Sequence, residues 1–167
     1  MSALVFDPKT NVAILGGQSM VFHCHHYNCA LQRAVESSMG SDAAMLLMVP
    51  GQEVVREQLG HLTGANDNAN QRLAAAVALF SQLGFGRLET GALTPRGGTV
   101  ACAGSHYAMG WLSKYGERDT PACHFVSGFV AGMVAVAFGV APERLHVKET
   151  RCLATGHSAC RFKVEVL

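Results

Sequence analysis

The chain is poor in charged residues, and the charges that it has are balanced. Charged side chains make up 15% of the 167 residues, the net charge is +1, and lysine and arginine do not cluster. A protein that binds nucleic acid electrostatically uses such clusters to neutralise phosphates, so nucleic acid is disfavoured as a partner. Residues 1–11 also lack the basic start and apolar core of a signal peptide. We therefore expect a cytoplasmic protein whose six cysteines are reduced or bind metal, rather than forming three disulfides.

A membrane span is not expected either. The longest apolar run, residues 125–141, is shorter than the roughly 20 residues that cross a bilayer. We interpret it as a buried core helix that starts near Pro121. Gly128 and Gly132 lie four residues apart on this helix, so another backbone can approach it closely, within the domain or across a dimer. Hydrophobic residues make up 49% of the chain and charged residues only 15%, so the chain has more apolar surface to bury than a monomer core needs. Together with the glycines of this helix, this composition leads us to expect a homodimer.

The length and the hydrophobic patterns predict one domain, residues 1–167, of the α+β class, with an antiparallel sheet packed against helices. Two short strands, 12–15 and 19–23, flank the turn signal Gly16-Gly17. The expected helices cover 25–39, a segment after Asp42 that is interrupted at Pro50-Gly51 and resumes at 52–62, then 71–83 and 107–115, before the apolar helix. The remaining expected strands cover 85–93, 99–103, 144–154 and 159–166.

Potential metal ligands are concentrated near the end of the chain. Glu149 and Cys152 are three residues apart, Cys160 follows eight residues later, and Cys123 would come from another element. The turn signal Gly156-His157-Ser158 would bring the ends of a hairpin together. Two thiolates and a carboxylate in a short segment suit a tetrahedral zinc site, and a closed four-ligand site is usually structural. The spacing alone leaves open the alternative of buried cysteines beside a surface carboxylate.

Three motifs together resemble the 4-vinyl reductase, or hydrocarbon-binding, domain family. They are Cys123-H-F-V-S-Gly128-F-V-A-Gly132, Glu149-T-R-Cys152 and Gly156-H-S-A-Cys160-R-F. The same domain is the aromatic-sensing module of phenol-responsive transcription activators, where a Cys, a Glu and two further Cys bind zinc. The resemblance therefore implies that Cys123, Glu149, Cys152 and Cys160 bind structural zinc. The loop at residues 139–145 is longer than in the sensors, which could shift Glu149 relative to Cys123.

The resemblance also implies a ligand pocket between the sheet and the helices. The sensors contact phenol through a Trp and a His, and near the similar Trp position this chain has Ser105-His106-Tyr107. We expect His106 to supply a polar contact, with Tyr107, Trp111 and Phe129 as aromatic neighbours. The alternative for His106 is a residue at a strand end that faces solvent.

A second candidate site is the stretch from His23 to Cys29, which the resemblance does not explain. It holds three histidines, His23, His25 and His26, and two cysteines within seven residues. On a helix that starts near His25, Cys29 would share a face with His25 or His26. This spacing permits a shared transition metal or a haem contact, and the alternative is a helix start with partly exposed histidines.

These observations predict a stand-alone sensor or carrier domain for an apolar, aromatic or tetrapyrrole-type ligand, with one structural zinc. We find no flavin or nicotinamide motif, so a ligand-binding or accessory role is favoured over an enzyme. One alternative is an accessory protein to tetrapyrrole vinyl reduction that presents substrate to a partner enzyme. Another is a haem or transition-metal protein that uses the His23–Cys29 cluster.

Overall fold

The computed structural model describes residues 4–15 and 17–167 and has the α+β architecture that the sequence predicts. The main sheet contains β4 (Arg87–Glu89), β5 (Gly97–Ala103), β6 (Leu145–Arg151) and β7 (Cys160–Val166), all antiparallel, in the order β4-β5-β7-β6. Within the described ranges the α-helices are α1 (His25–Met39), α2 (Ala43–Leu62), α3 (Ala69–Gln82), α4 (His106–Tyr115) and α5 (His124–Phe138). The predicted fold class is confirmed.

A small second sheet lies near the start of the chain. Its strands are β1 (Val5–Phe6), β2 (Ala13–Leu15) and β3 (Gln18–Met20), paired in that order. The predicted turn falls between β2 and β3, where Gly17 has a φ of 81°, a conformation that glycine adopts without strain. Gly16, the other residue of that turn signal, lies outside the described residues. The sequence did not predict β1, because two residues are too few to show an alternating pattern.

Local sequence signals set several helix ends. Helix α1 ends before Gly40, whose φ of 56° suits glycine at a helix C-terminus. Helix α3 starts with a capping box in which the Asn68 side chain accepts from the Gln71 backbone N–H and the Gln71 side chain accepts from the Asn68 N–H. This reciprocal pair satisfies two backbone donors that a helix start otherwise leaves unpaired.

Helix α5 forms the centre of the core and packs tightly against α2. Every residue from 126 to 135 is buried. A Cβ atom built on Gly128 would lie 2.0 Å from the backbone oxygen of Met48, and one on Gly132 would lie 2.1 Å from the side chain of Val55. The predicted close approach therefore occurs within the domain, and these glycines are not available to a dimer partner. In the described part of the chain, no helix combines the length and apolar character needed to cross a membrane.

The predicted interruption of the second helix at Pro50-Gly51 is wrong, because α2 continues from Ala43 to Leu62. A proline inside a helix removes one hydrogen bond and crowds the preceding turn, which favours a break. Tertiary packing outweighs this cost here. Gly51 allows α2 to approach α5 so closely that an added Cβ would lie 2.7 Å from the backbone oxygen of Phe125.

Candidate metal centre and aromatic cavity

The four predicted metal ligands meet at one end of α5. Cys123 is the residue before the helix, Glu149 lies on β6, Cys152 follows that strand, and Cys160 begins β7. One ligand atom from each side chain lies within 4.8 Å of all the others. The Sγ of Cys123 is 3.6 Å from that of Cys160 and 4.0 Å from that of Cys152. A tetrahedral ion with metal–sulfur bonds of about 2.3 Å needs sulfur atoms roughly 3.8 Å apart, so the spacing fits.

A β-bulge brings Glu149 and Cys152 to the same side of the sheet. In a regular strand, residues three apart point to opposite faces. The pairing of β6 with β7 shifts between Glu149 and Arg151, and the hydroxyl of the extra residue, Thr150, donates to the backbone oxygen of Arg161 at 3.2 Å. Thr150 and Arg151 are both exposed, whereas Cys152 is buried like Glu149. The bulge therefore turns the Cys152 side chain to the same side of the sheet as Glu149, and bulges beside functional sites commonly have this effect.

Burial makes several negative charges in this cluster unfavourable unless a cation is present. The three cysteines have no exposed surface, and Glu149 is 8% exposed. Desolvation raises the pKa of Cys123, and it raises the pKa of Glu149 to about 8. Hydrogen bonds from the thiols of Cys123 and Cys160 lower the pKa of Cys152, so one thiolate is accommodated. Four ionised ligands therefore require a bound cation, and the buried Oε1 of Glu149, which lacks a hydrogen-bond partner among the described residues, is placed to contact one.

Backbone and hydroxyl groups hold the ligand atoms in position. The backbone N–H of Cys123 donates to Glu149 Oε2 at 2.9 Å. The backbone N–H groups of Ala122 and Leu153 donate to the sulfur atoms of Cys152 and Cys160, each at 3.4 Å. The hydroxyl of Ser105 lies 3.1 Å from the sulfur of Cys123. The long loop at residues 139–145 does not displace Glu149 from Cys123. Ser105 was not predicted at the cluster, although its position before α4 is a typical capping position.

An aromatic cavity of about 200 Å³, partly open to solvent, is lined by residues 20–23, by Asn28 of α1, by Leu83 and Phe85 after α3, and by two residues each of α2, α4 and α5. Its walls include the rings of Phe22, Phe85, Tyr107, Phe125 and Phe129. The Phe85 and Phe125 ring centroids are 4.8 Å apart, and Tyr107 lies 5.4 Å from Phe125. Of the residues predicted to contact a ligand, the structure places His106, Tyr107, Phe129 and His23 on this cavity.

The polar side chains of His23, Asn28, Gln58 and His106 interrupt the apolar lining. The Nε2 atom of His106 lies 3.0 Å from the side-chain nitrogen of Asn28, and both residues line the cavity. Desolvation lowers the pKa of His106, and the nearby His25 lowers it further, so the imidazole is neutral at pH 7. Gln58 of α2 also lines the cavity, and its buried Oε1 has no hydrogen-bond partner in the described part of the protein.

Trp111, His25 and His26 do not line this cavity. Trp111 is buried beneath the guanidinium group of Arg118, whose central carbon lies 4.1 Å from the ring centre. His25 borders a separate, more open cavity beside Gly110, and His26 is exposed. Within residues 4–15 and 17–167, no group of three or more His, Cys, Asp or Glu side chains other than the Cys123 cluster is arranged to hold a metal.

Sequence reasoning missed several residues of the cavity: Asn28, Val54, Gln58, Phe85 and Phe125. Gln58 had a local signal, because it lies among the buried positions Val55 and Leu59 of an amphipathic helix. Asn28, Phe85 and Phe125 had none, since they come from separate elements that meet only in the folded chain, and Val54 is an exposed position of α2.

Comparisons with known proteins agree with the resemblance of the three motifs to the 4-vinyl reductase domain family. Residues 110–166 match the sequence model of the 4-vinyl reductase domain, so the resemblance to that family is confirmed. The crystal structure of the phenol-responsive sensory domain of the transcription activator PoxR with phenol superposes with a TM-score of 0.80 at 19% identity, covering 98% of this chain and 84% of that chain. A vinyl-4-reductase family protein from Methanocaldococcus jannaschii has a TM-score of 0.56 at 19% identity, covering 84% and 77%. Both likenesses establish the fold, and no curated protein matches the sequence.

Proposed function

We propose that this chain is a sensor or carrier domain that binds a single-ring aromatic molecule. The observation that supports the proposal most directly is the cavity, in which five aromatic rings surround a space that also meets the neutral imidazole of His106. Aromatic walls supply most of the contact area for such a ligand, and a few polar groups fix its orientation. The likeness to a phenol-responsive sensory domain supports the same ligand class.

The size of the cavity favours one ring over a larger ligand. Its volume is about 200 Å³. An apolar cavity of about 150 Å³ is sufficient to bind benzene, whereas drug-sized ligands occupy pockets of about 300–1,000 Å³. This space is too small to contain a whole tetrapyrrole or haem. The accessory role in vinyl reduction and the haem alternative are therefore less favoured.

We also propose that the metal in the cluster is zinc and that its role is structural. Three thiolates and one carboxylate at tetrahedral spacing form a donor set that zinc prefers, and all four positions are taken by protein. When bound, zinc would supply the positive charge that the buried ligands require, and no coordination position would remain for a substrate. Cys123, Cys152 and Cys160 would be its sulfur ligands, with Glu149 as the oxygen ligand.

Calorimetric titration of the purified chain with phenol tests the ligand proposal. We expect saturable binding at one site per chain, weakened in His106→Ala and in Phe125→Ala with the metal content unchanged. Trp111→Phe is the matched control, because this aromatic side chain lies outside the cavity and should leave affinity unchanged. If phenol fails to bind, or if Trp111→Phe weakens it as much as Phe125→Ala does, the cavity is not the binding site.

The absorption spectrum of the same preparation separates this proposal from the alternatives. A protein that binds colourless aromatics shows absorption bands in the ultraviolet and none in the visible region. A Soret band, retained in His106→Ala but lost in His25→Ala with His26→Ala, would instead establish a haem protein that uses the N-terminal histidines. Another co-purifying chromophore would favour a tetrapyrrole carrier.

A further inference from the structure

Besides the Asn28–His106 pair, the polar side chain of Gln58 lines the cavity. A ligand whose single phenolic group contacts that pair leaves Gln58 without a hydrogen-bond partner. Gln58 of α2 lines both the aromatic cavity and a small recess, whose other lining residues are Leu15, Gln18, Met20, Leu62, Leu79 and Gln82. Its Oε1 is shielded from solvent and has no hydrogen-bond partner among the described residues. The first polar group, His106, belongs to α4 and is already hydrogen-bonded to Asn28 of α1.

An unpartnered acceptor in an apolar wall is unfavourable for folding. Burying a carbonyl group without a donor loses its hydrogen bonds to water, and an apolar side chain of the same shape would avoid that loss. Neighbouring positions on the same face of α2 are filled by Val55 and Leu59, both with no exposed surface. A glutamine at position 58 is thus explained if something that enters the cavity donates a hydrogen bond to it.

We propose that Gln58 is a specificity-determining residue that accepts a hydrogen bond from a hydroxyl or amino group of the bound ring. This inference rests on the proposed function. It narrows the ligand class from any single-ring aromatic to rings with two polar substituents, such as dihydroxybenzenes. One substituent faces the Asn28–His106 pair, and the other donates to Gln58 Oε1. Ligands that lack the second donor leave the Gln58 oxygen unsatisfied and bind more weakly.

The preference of the wild-type chain among simple probes tests this inference. Phenol, catechol, resorcinol and hydroquinone are titrated calorimetrically into the metal-loaded protein in deoxygenated buffer. At least one of the three dihydroxybenzenes should bind about tenfold more tightly than phenol, the gain typical of one added buried hydrogen bond. If phenol binds and none of the three exceeds it, the role of Gln58 is refuted while the proposed function stands. If none of the four probes binds, both fail together.

Two variants assign the preference to the residue. Gln58→Met replaces the carboxamide with an apolar chain of similar size and should reduce the advantage of the dihydroxybenzene to less than about twofold by removing that hydrogen bond. Gln82→Met is the matched control, because Gln82 borders the small recess but not the aromatic cavity, and it should keep the preference. Equal loss in both variants, or full retention in Gln58→Met, would overturn the assignment.

A measurement on the wild-type chain guards against misfolding of Gln58→Met. The side-chain N–H signals of Gln58 in a nitrogen–proton NMR spectrum should shift when the preferred dihydroxybenzene is added, and shift less with phenol. The corresponding signals of Gln82 should stay in place with either probe. Unchanged Gln58 signals at saturating ligand would refute the contact.

Discussion

Replacing Cys152 with serine should remove the metal and measurably destabilise the fold. Cys152 has no exposed surface, and its sulfur lies 4.0 Å from that of Cys123, a spacing at which the two thiolates could share an ion. A serine hydroxyl is a smaller and harder ligand than a thiolate and suits zinc poorly at this distance. Without the ion, burial favours the protonated forms of Glu149 and Cys123, and these polar groups stay buried without the partner that the ion would provide.

The size of the effect follows from the groups that lose their partner. A buried polar group without a partner costs about 1–3 kcal/mol, and at least two are affected, the Glu149 carboxyl group and one thiol. A loss of about 3 kcal/mol is a large part of the 5–15 kcal/mol that stabilises a typical domain. For a chain of this size it corresponds to a decrease in Tm of roughly 6–12 °C.

Thermal unfolding followed by circular dichroism, together with elemental analysis, tests this prediction. The wild-type chain should contain close to one zinc per chain, and a chelator should lower its Tm by an amount similar to that of the substitution. Cys24→Ser is the control, because Cys24 is exposed and outside the cluster. A Cys152→Ser protein that keeps both its full metal content and the wild-type Tm would refute the reasoning.

Three further predictions concern packing, protonation and assembly. Gly128→Ala should lower stability by at least about 2 kcal/mol in denaturant unfolding, since its Cβ would overlap the α2 backbone, whereas Gly60→Ala, with open space at its Cβ, should not. Burial and His25 lower the pKa of His106 in the folded chain. The stability that His106 contributes is therefore present above pH 6.5 and is lost as the pH falls towards its pKa in the folded state. If His106→Gln leaves the pH dependence of the free energy of unfolding unchanged, this prediction is wrong. Light scattering should show a homodimer that Met45→Glu, a change at an exposed apolar position of α2, converts to monomer; a wild-type monomer at micromolar concentration would refute it.

Much of the fold could be predicted because local signals are strong where the elements are regular. The predicted range of α1 agrees with the structure, and the closing strands differ from β6 and β7 by a few residues at their ends. The predicted helix break at Pro50 is wrong for a physical reason that the local sequence does not show. Whether a proline breaks a helix depends on the partner that packs against it, and here α5 is about 75 residues away along the chain.

The metal cluster was more predictable than the cavity for a related reason. Three of its four ligands lie within twelve residues on one hairpin, so they are close in sequence, although the β-bulge that turns Glu149 and Cys152 to the same side is not visible in the spacing. The cavity is assembled from α1, α2, α4, α5, residues 20–23 and the segment after α3, and no local pattern indicates which side chains will meet. Glu36 illustrates the same limit, because it accepts two hydrogen bonds from Arg118, 82 residues away, at 3.2 and 3.1 Å.

The metal cluster and the cavity are joined through two short segments of chain. Cys123 precedes α5, and the same helix presents Phe125 and Phe129 to the cavity. Ser105 contacts the Cys123 sulfur, and the next residue, His106, lies on the cavity wall. A metal that fixes Cys123 would thus fix the start of α5 and, through Ser105, the start of α4. The structural role proposed for the metal and the ligand-binding role proposed for the cavity are therefore connected, because the ion would fix the starts of two helices that line the cavity.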